Sequence, residues 1–226
     1  MTKRYLQHIV WDWNGTLLDD VAASVDAINH MLRKRNLPLT SVETYRATFG
    51  FPVFDYYRQT GFHLELENWD ALAIEFHRLF LASPYKHVRP ESYTTLKQCA
   101  RAGLSMQLLS AAEQSMLNNM VRDAGLVVFF DNIIGTDNLD GASKEEQGKM
   151  LAQKIEARSD QILMIGDTLH DYEIAARLGW QCVLVAGGHQ SRQRISNANC
   201  PVLDSIADIP EWLKMFDITA NENNLK

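Results

Sequence analysis

The chain has 226 residues, 46% of them hydrophobic and 22% charged, and a formal net charge of −6. That length allows one α/β domain with a small insert, and the acidic balance, with Arg33-Lys34-Arg35 as the one basic cluster, argues against a nucleic-acid scaffold. Three cysteines without CxxC spacing argue against a disulfide framework or a zinc site and for a reducing, cytoplasmic setting; no apolar run reaches membrane-spanning length.

Ile9-Val10-Trp11 reads as a short buried strand that runs into Asp12-Trp13-Asn14-Gly15-Thr16, where the glycine marks a turn. Val21, Val25, Ile28 and Leu32 then fall on one face of a helix. The stretch from Leu17 to Ser83 reads as helical throughout. Thr40-Ser41-Val42-Glu43 starts a second helix with a capping-box pattern, and Phe49-Gly50-Phe51-Pro52 breaks it. Trp69, Leu72, Phe76, Leu79 and Phe80 form the apolar face of a later helix that stops before Pro84.

After Pro90 helices and strands alternate. Leu104 to Leu109 is an apolar strand expected to end at Ser110, Asn132-Ile133-Ile134 is a short one, Ile162 to Ile165 ends at Gly166-Asp167, and Cys182 to Val185 follows. Helices are expected over 91–101, 113–124, 144–155 and 168–178. Such alternation implies a doubly wound parallel sheet with helices on both faces, an α/β fold carrying a helical insert. Asp12, Ser110 and Asp167 each stand at the expected C-terminal end of a strand, the edge where open α/β sheets bind ligands.

Each of these residues also has a plainer reading. Asp12 suits a helix N-cap. Asp167 and Asp171 suit the positive end of a helix dipole, although their spacing also lets both face one pocket, where carboxylates favour a hard cation such as Mg²⁺. Ser110 reads alone as a turn residue. Lys144 opens a helix, where a cation is disfavoured unless it has an anionic partner.

Together these residues resemble the haloacid dehalogenase superfamily, in its phosphoglycolate phosphatase-like branch. The first motif is similar to Asp12-Trp13-Asn14-Gly15-Thr16-Leu17-Leu18-Asp19 and the second to Leu108-Leu109-Ser110-Ala111. The third is similar to Gly141-Ala142-Ser143-Lys144, and the fourth to Ile165-Gly166-Asp167-Thr168-Leu169-His170-Asp171. The resemblance implies a core of residues 1–16 and 87–226, with 219–226 as a flexible tail, and a helical cap at 17–86. It implies an Mg²⁺-dependent phosphatase, monomer or homodimer, acting on a small phosphorylated metabolite rather than on nucleic acid or at a membrane.

By the same resemblance Asp12 attacks phosphorus and forms an aspartyl-phosphate. The metal is held by Asp12, the Asn14 backbone carbonyl and Asp167, with Asp171 supporting it or Lys144. Ser110 and Lys144 hold phosphate oxygens, the backbone of Gly15, Thr16 and Ala111 adds to that cradle, and Phe49 and Gly50 belong to a specificity loop in the cap. One position departs from the family: Asn14 stands where its phosphatases carry an aspartic acid that exchanges protons with the leaving group and the water. An amide cannot do this, and losing general acid–base help costs about 10²–10⁴ in rate. The chain then turns over slowly, takes the proton from a neighbour such as His170 or Asp19, prefers acyl phosphates or phosphotransfer, or serves as a phosphometabolite-binding pseudoenzyme.

Overall fold

The computed structural model describes residues 5–139, 144–155 and 157–218. Gly141-Ala142-Ser143 of the expected third motif and the tail at 219–226 lie outside the described residues. The chain begins with β1 (Tyr5–Leu6), β2 (His8–Trp11) and β3 (Leu18–Asp19). Four helices follow: α1 (Val21–Lys34), α2 (Val42–Thr48), α3 (Val53–Gln59) and α4 (Trp69–Ala82). Next come β4 (His87–Val88), α5 (Ser92–Arg101), β5 (Ser105–Glu113), α6 (Gln114–Asp123), β6 (Asn132–Thr136) and α7 (Glu145–Lys154). The remainder is β7 (Ile162–Gly166), α8 (Leu169–Leu178), β8 (Gln181–Val185), α9 (Arg192–Ile195), β9 (Val202–Leu203), α10 (Ile209–Trp212) and β10 (Asp217–Ile218).

Six strands form one parallel sheet in the order β6-β5-β2-β7-β8-β9. Residues alternate between two buried faces, as a strand covered on both sides requires. Ile9, Trp11, Met106, Leu108, Leu163 and Ile165 join one apolar cluster, and Val10, Leu109, Ile162 and Met164 join another. From β2 the chain steps outward through β5 to β6, then returns to the other side of β2 with β7. The strand order therefore reverses at β2, and the crevice beyond its carboxyl end is where such sheets take ligands. Asp12 is the first residue past that end.

The helical insert has a core of its own. Val21, Val25, Ile28 and Leu32, the apolar stripe of α1, pack with Tyr45, Tyr57, Phe62 and Leu72. The chain leaves for the insert and returns from it on an antiparallel ribbon, with Leu18 opposite Val88 and Asp19 opposite His87. Reading 17–83 as helical throughout misses β3, because two residues show no periodicity and their pairing partner lies beyond the whole insert.

A second difference concerns Ser110. β5 does not stop there but runs to Glu113, with its register against β6 shifting between Leu109 and Glu113. Ser110 thus lies inside the strand at an irregularity, the kind of feature that re-aims a side chain beside a site. Cys99, Cys182 and Cys200 are free thiols. Among the described residues no helix is long and apolar enough to cross a membrane.

Leu163 is fully buried at the centre of β7. Leu163→Ala is expected to lower unfolding stability by about 2–5 kcal/mol in urea titration. A loss no greater than that of Val128→Ala, at an 84% exposed position, contradicts this packing.

Candidate active site

β2 delivers Asp12 to the sheet edge, and the Asp12 amide donates to the Ile165 carbonyl at 2.9 Å, which holds the two strand ends level. β7 delivers Asp167 just beyond Gly166. Asp171 lies in the first turn of α8, where its Oδ2 accepts from the Thr168 amide at 3.0 Å and the Thr168 hydroxyl at 2.7 Å, a capping box that fixes the carboxylate. Ligand atoms of Asp12, Asp167 and Asp171 lie within 4.8 Å of one another. The Thr16 hydroxyl reaches Asp167 Oδ1 at 3.0 Å and Asp12 Oδ2 at 3.3 Å.

Lys144 stands at the N-cap of α7 with its ammonium buried. It donates to Asp12 Oδ1 and to the Leu109 carbonyl at 3.1 Å, and pairs with Asp171 Oδ1 at 2.8 Å. A cation at a helix start is unfavourable in dipole terms, and here two carboxylates outweigh that cost.

Asp20, His189 and Tyr45 complete the site, and sequence reasoning did not select them. Asp20 stands at the N-cap of α1, yet its carboxylate makes no capping bond to that helix. Its oxygens instead accept from the Gly15 amide at 2.8 Å and from Asn14 Nδ2 at 2.7 Å, and Asp20 Oδ1 pairs with His189 Nε2 at 3.1 Å. The other His189 nitrogen bonds the Tyr45 hydroxyl at 2.9 Å, and the His189 amide donates to Asp167 Oδ2 at 2.5 Å. Since Asn14 donates through Nδ2, its amide oxygen faces the other way, 3.5 Å from the Ser110 hydroxyl. The two adjacent acids Asp19-Asp20 look alike in sequence. Only the fold separates them.

Burial raises the Asp12 carboxyl above its ordinary range, Lys144 pulls it down, and Asp171 and Asp167 push it further up. Asp167 is likewise raised, by burial first, against the opposing pull of His189. Burial disfavours the Lys144 ammonium, but Asp12 and Asp171 overcome this and hold it above the ordinary lysine value. In the same way burial opposes the His189 imidazolium and Asp20 more than restores it, to about 9. Burial drives His170 down to about 4, so its ring is neutral.

Four buried aspartates (Asp12, Asp20, Asp167, Asp171) thus face two buried basic side chains, Lys144 and His189. The clustering of three acids and the all-oxygen donor set of Asp12, Asp167 and Asp171 fit a hard divalent cation.

A cavity of about 150 Å³ joins this edge to the helical insert. Of the residues selected from sequence, Asp12, Asn14, Ser110, Ala111, Lys144, Asp167, Asp171 and Phe49 line it. Gly15, Thr16 and Gly50 do not. The Gly15 amide is taken by Asp20 and the Leu18 carbonyl, and the Thr16 amide by the Trp13 carbonyl at 3.2 Å, so neither is left to cradle an anion. Gly15 is needed for another reason. Its φ is +79°, and a Cβ there would stand 2.6 Å from the His189 ring. Gly50 instead packs against Arg194 and Gln190. Asp19, one of two proposed proton donors, faces His87 on the exposed ribbon at 3.8 Å. His170, the other, lines the cavity with its ring stacked on Phe51. Trp69, Phe76 and Phe80, expected only as insert core, also form cavity wall.

Comparison with known proteins identifies the family. Residues 9–185 match the family model of haloacid dehalogenase-like hydrolases. A phosphoglycolate phosphatase of Pseudomonas syringae is 28% identical over 218 residues, covering 92% of this chain and 80% of that protein. The pyrophosphatase PpaX of Oceanobacillus iheyensis is 24% identical over 184 residues, covering 80% and 84%. A solved haloacid dehalogenase-like hydrolase from Streptococcus pneumoniae superposes with a TM-score of 0.80 at 16% identity, covering 92% of this chain and 98% of that one. The chain belongs to the haloacid dehalogenase-like hydrolase family.

Proposed function

We propose that the protein is an Mg²⁺-dependent phosphatase that hydrolyses a small phosphate monoester through a phosphoryl-aspartate at Asp12. The observation that carries this reading is the Asp12 carboxylate itself: it stands past the central strand with Lys144 on one oxygen and two further carboxylates within 4.8 Å. Mg²⁺ held by Asp12 and Asp167 would supply the positive charge that masks repulsion between a carboxylate and a phosphate dianion. Lys144 neutralises charge on the transferring phosphoryl oxygens, and Ser110 donates to one of them. Asp171 keeps Lys144 in place and caps α8. The reading assigns the work to the cytoplasm and makes α1–α4 the cap that closes over the substrate.

Asn14 supports slow turnover. Asp20 holds its amide so that the oxygen faces the reacting region. That oxygen can orient a hydroxyl or water but cannot take its proton. The same feature favours a second reading, in which the aspartyl-phosphate persists and passes its phosphoryl group to an acceptor other than water.

Phosphate release from a panel of phosphate monoesters tests the main reading. Turnover is expected to exceed an Asp12→Ala control, to vanish in EDTA and to return with Mg²⁺. No ester cleaved faster by the wild type than by the control sinks hydrolysis.

Asn14→Asp alone would set two carboxylates 2.7 Å apart, where Asp20 now accepts the amide. Asp20→Asn removes the clash by donating to the new acid. The double variant Asn14→Asp/Asp20→Asn is therefore expected to raise kcat at least ~10-fold, part of the ~10²–10⁴ that a proton-exchanging group contributes. The single variant Asn14→Asp should gain less. Equal rates for the single and double variants refute the role given to Asp20.

A further inference from the structure

The cavity wall opposite Asp12 has a chemistry that selects among phosphate esters. Phe49, Phe51, Tyr56, Trp69, Phe76 and Met120 form much of it. Among the described residues the one lysine or arginine lining the cavity is Lys144, and its ammonium is committed to Asp12, Asp171 and Leu109.

The arginines around the rim are also committed. Arg46 donates to the Gly187 and Gly188 carbonyls at 2.7 and 2.9 Å. Arg89 donates to the Gly15 and Thr16 carbonyls at 2.8 and 2.9 Å, and Arg194 to the Phe49 carbonyl. Both His189 nitrogens are occupied by Asp20 and Tyr45. His77 also lines the cavity, and burial lowers its pKa. Its Nε2 faces the Leu139 carbonyl at 3.3 Å and so carries the proton, and Nδ1 is buried with no hydrogen-bond partner among the described residues.

A carboxylate on the substrate would therefore meet mainly aromatic rings, with no lysine or arginine but Lys144 among the described lining residues. A buried unpaired carboxylate is among the most costly groups a pocket can take, whereas an aromatic ring gains from the same walls. The same cavity of about 150 Å³ also has to take the phosphoryl group beside Asp12, so the alcohol portion is small.

Building on the phosphatase reading above, we infer that the alcohol portion of the substrate is small, uncharged and apolar or aromatic, and not an acid such as glycolate.

Benzyl phosphate and phosphoglycolate separate the two classes well, since both are esters of alkyl alcohols and differ in the body. With Mg²⁺ present, kcat/KM for benzyl phosphate is expected to exceed that for phosphoglycolate by on the order of 10²-fold or more. Phe51→Arg adds a cation to the wall and is expected to move this ratio at least ~10-fold toward phosphoglycolate. A wild-type ratio at or below one overturns the inference and leaves the phosphatase reading standing. If neither ester is cleaved above the Asp12→Ala control, calorimetric binding of the two esters to the wild-type protein decides the inference. Tighter binding of benzyl phosphate upholds it. Equal or tighter binding of phosphoglycolate, or binding of neither, overturns it.

Discussion

The site depends on one buried ammonium. Lys144 is the only lysine or arginine among the buried described residues, and it is held between Asp12 and Asp171. Without it, His189 would be the one buried basic group facing these acids among the described residues, and the Asp12 carboxyl, already raised by burial, would be pushed further up. With it, Asp12 keeps one oxygen anchored while the three clustered acids still suit a divalent ion. Breaking such a buried pair by removing one partner costs about 3–5 kcal/mol, since the remaining charge is left uncompensated. The ammonium is thus both structural and, in the proposed reaction, the counter-charge to the phosphoryl group.

A second buried network ties the insert to the sheet. Asp20 at the head of α1 and Tyr45 on α2 both bond His189, whose backbone amide holds Asp167. Arg46, also on α2, clamps the Gly187 and Gly188 carbonyls of the same loop. A continuous chain of hydrogen bonds therefore links α1 and α2 to Asp167. Asn14 belongs to this network as well, because Asp20 holds its amide. The substitution at position 14 and the acid at position 20 form one hydrogen-bonded unit, with the amide donating where a second carboxylate would repel.

The parallel sheet was legible in sequence because its strands are short apolar runs separated by glycine-marked turns and amphipathic helices. Asp12 and Asp167 were legible for the same reason, as they follow Trp11 and Gly166 at strand ends. Lys144 was legible only in company, since nothing local shows that its ammonium turns inward. Asp20, Tyr45 and His189 were not legible: they come from three separate stretches that meet only when the insert folds back on its ribbon. The shortfall at Gly15 and Thr16 has a local cause. A turn that looks open in sequence closes on itself through the Trp13 carbonyl, which accepts from Thr16, Leu17 and Leu18. Aromatic residues on α4 were read as packing alone, because a helix face that borders a cavity and one that borders a core have the same apolar period.

The claim on which the account rests is that Asp12 accepts a phosphoryl group in a site completed by a divalent cation. Fluorine NMR with beryllium fluoride tests it directly, since trifluoroberyllate occupies the place of a phosphoryl group on a carboxylate. In the presence of Mg²⁺ the wild-type protein should give bound-fluoride resonances that disappear with EDTA and are absent from Asp12→Asn. Resonances that persist in Asp12→Asn, or their absence from the wild type, contradict the account.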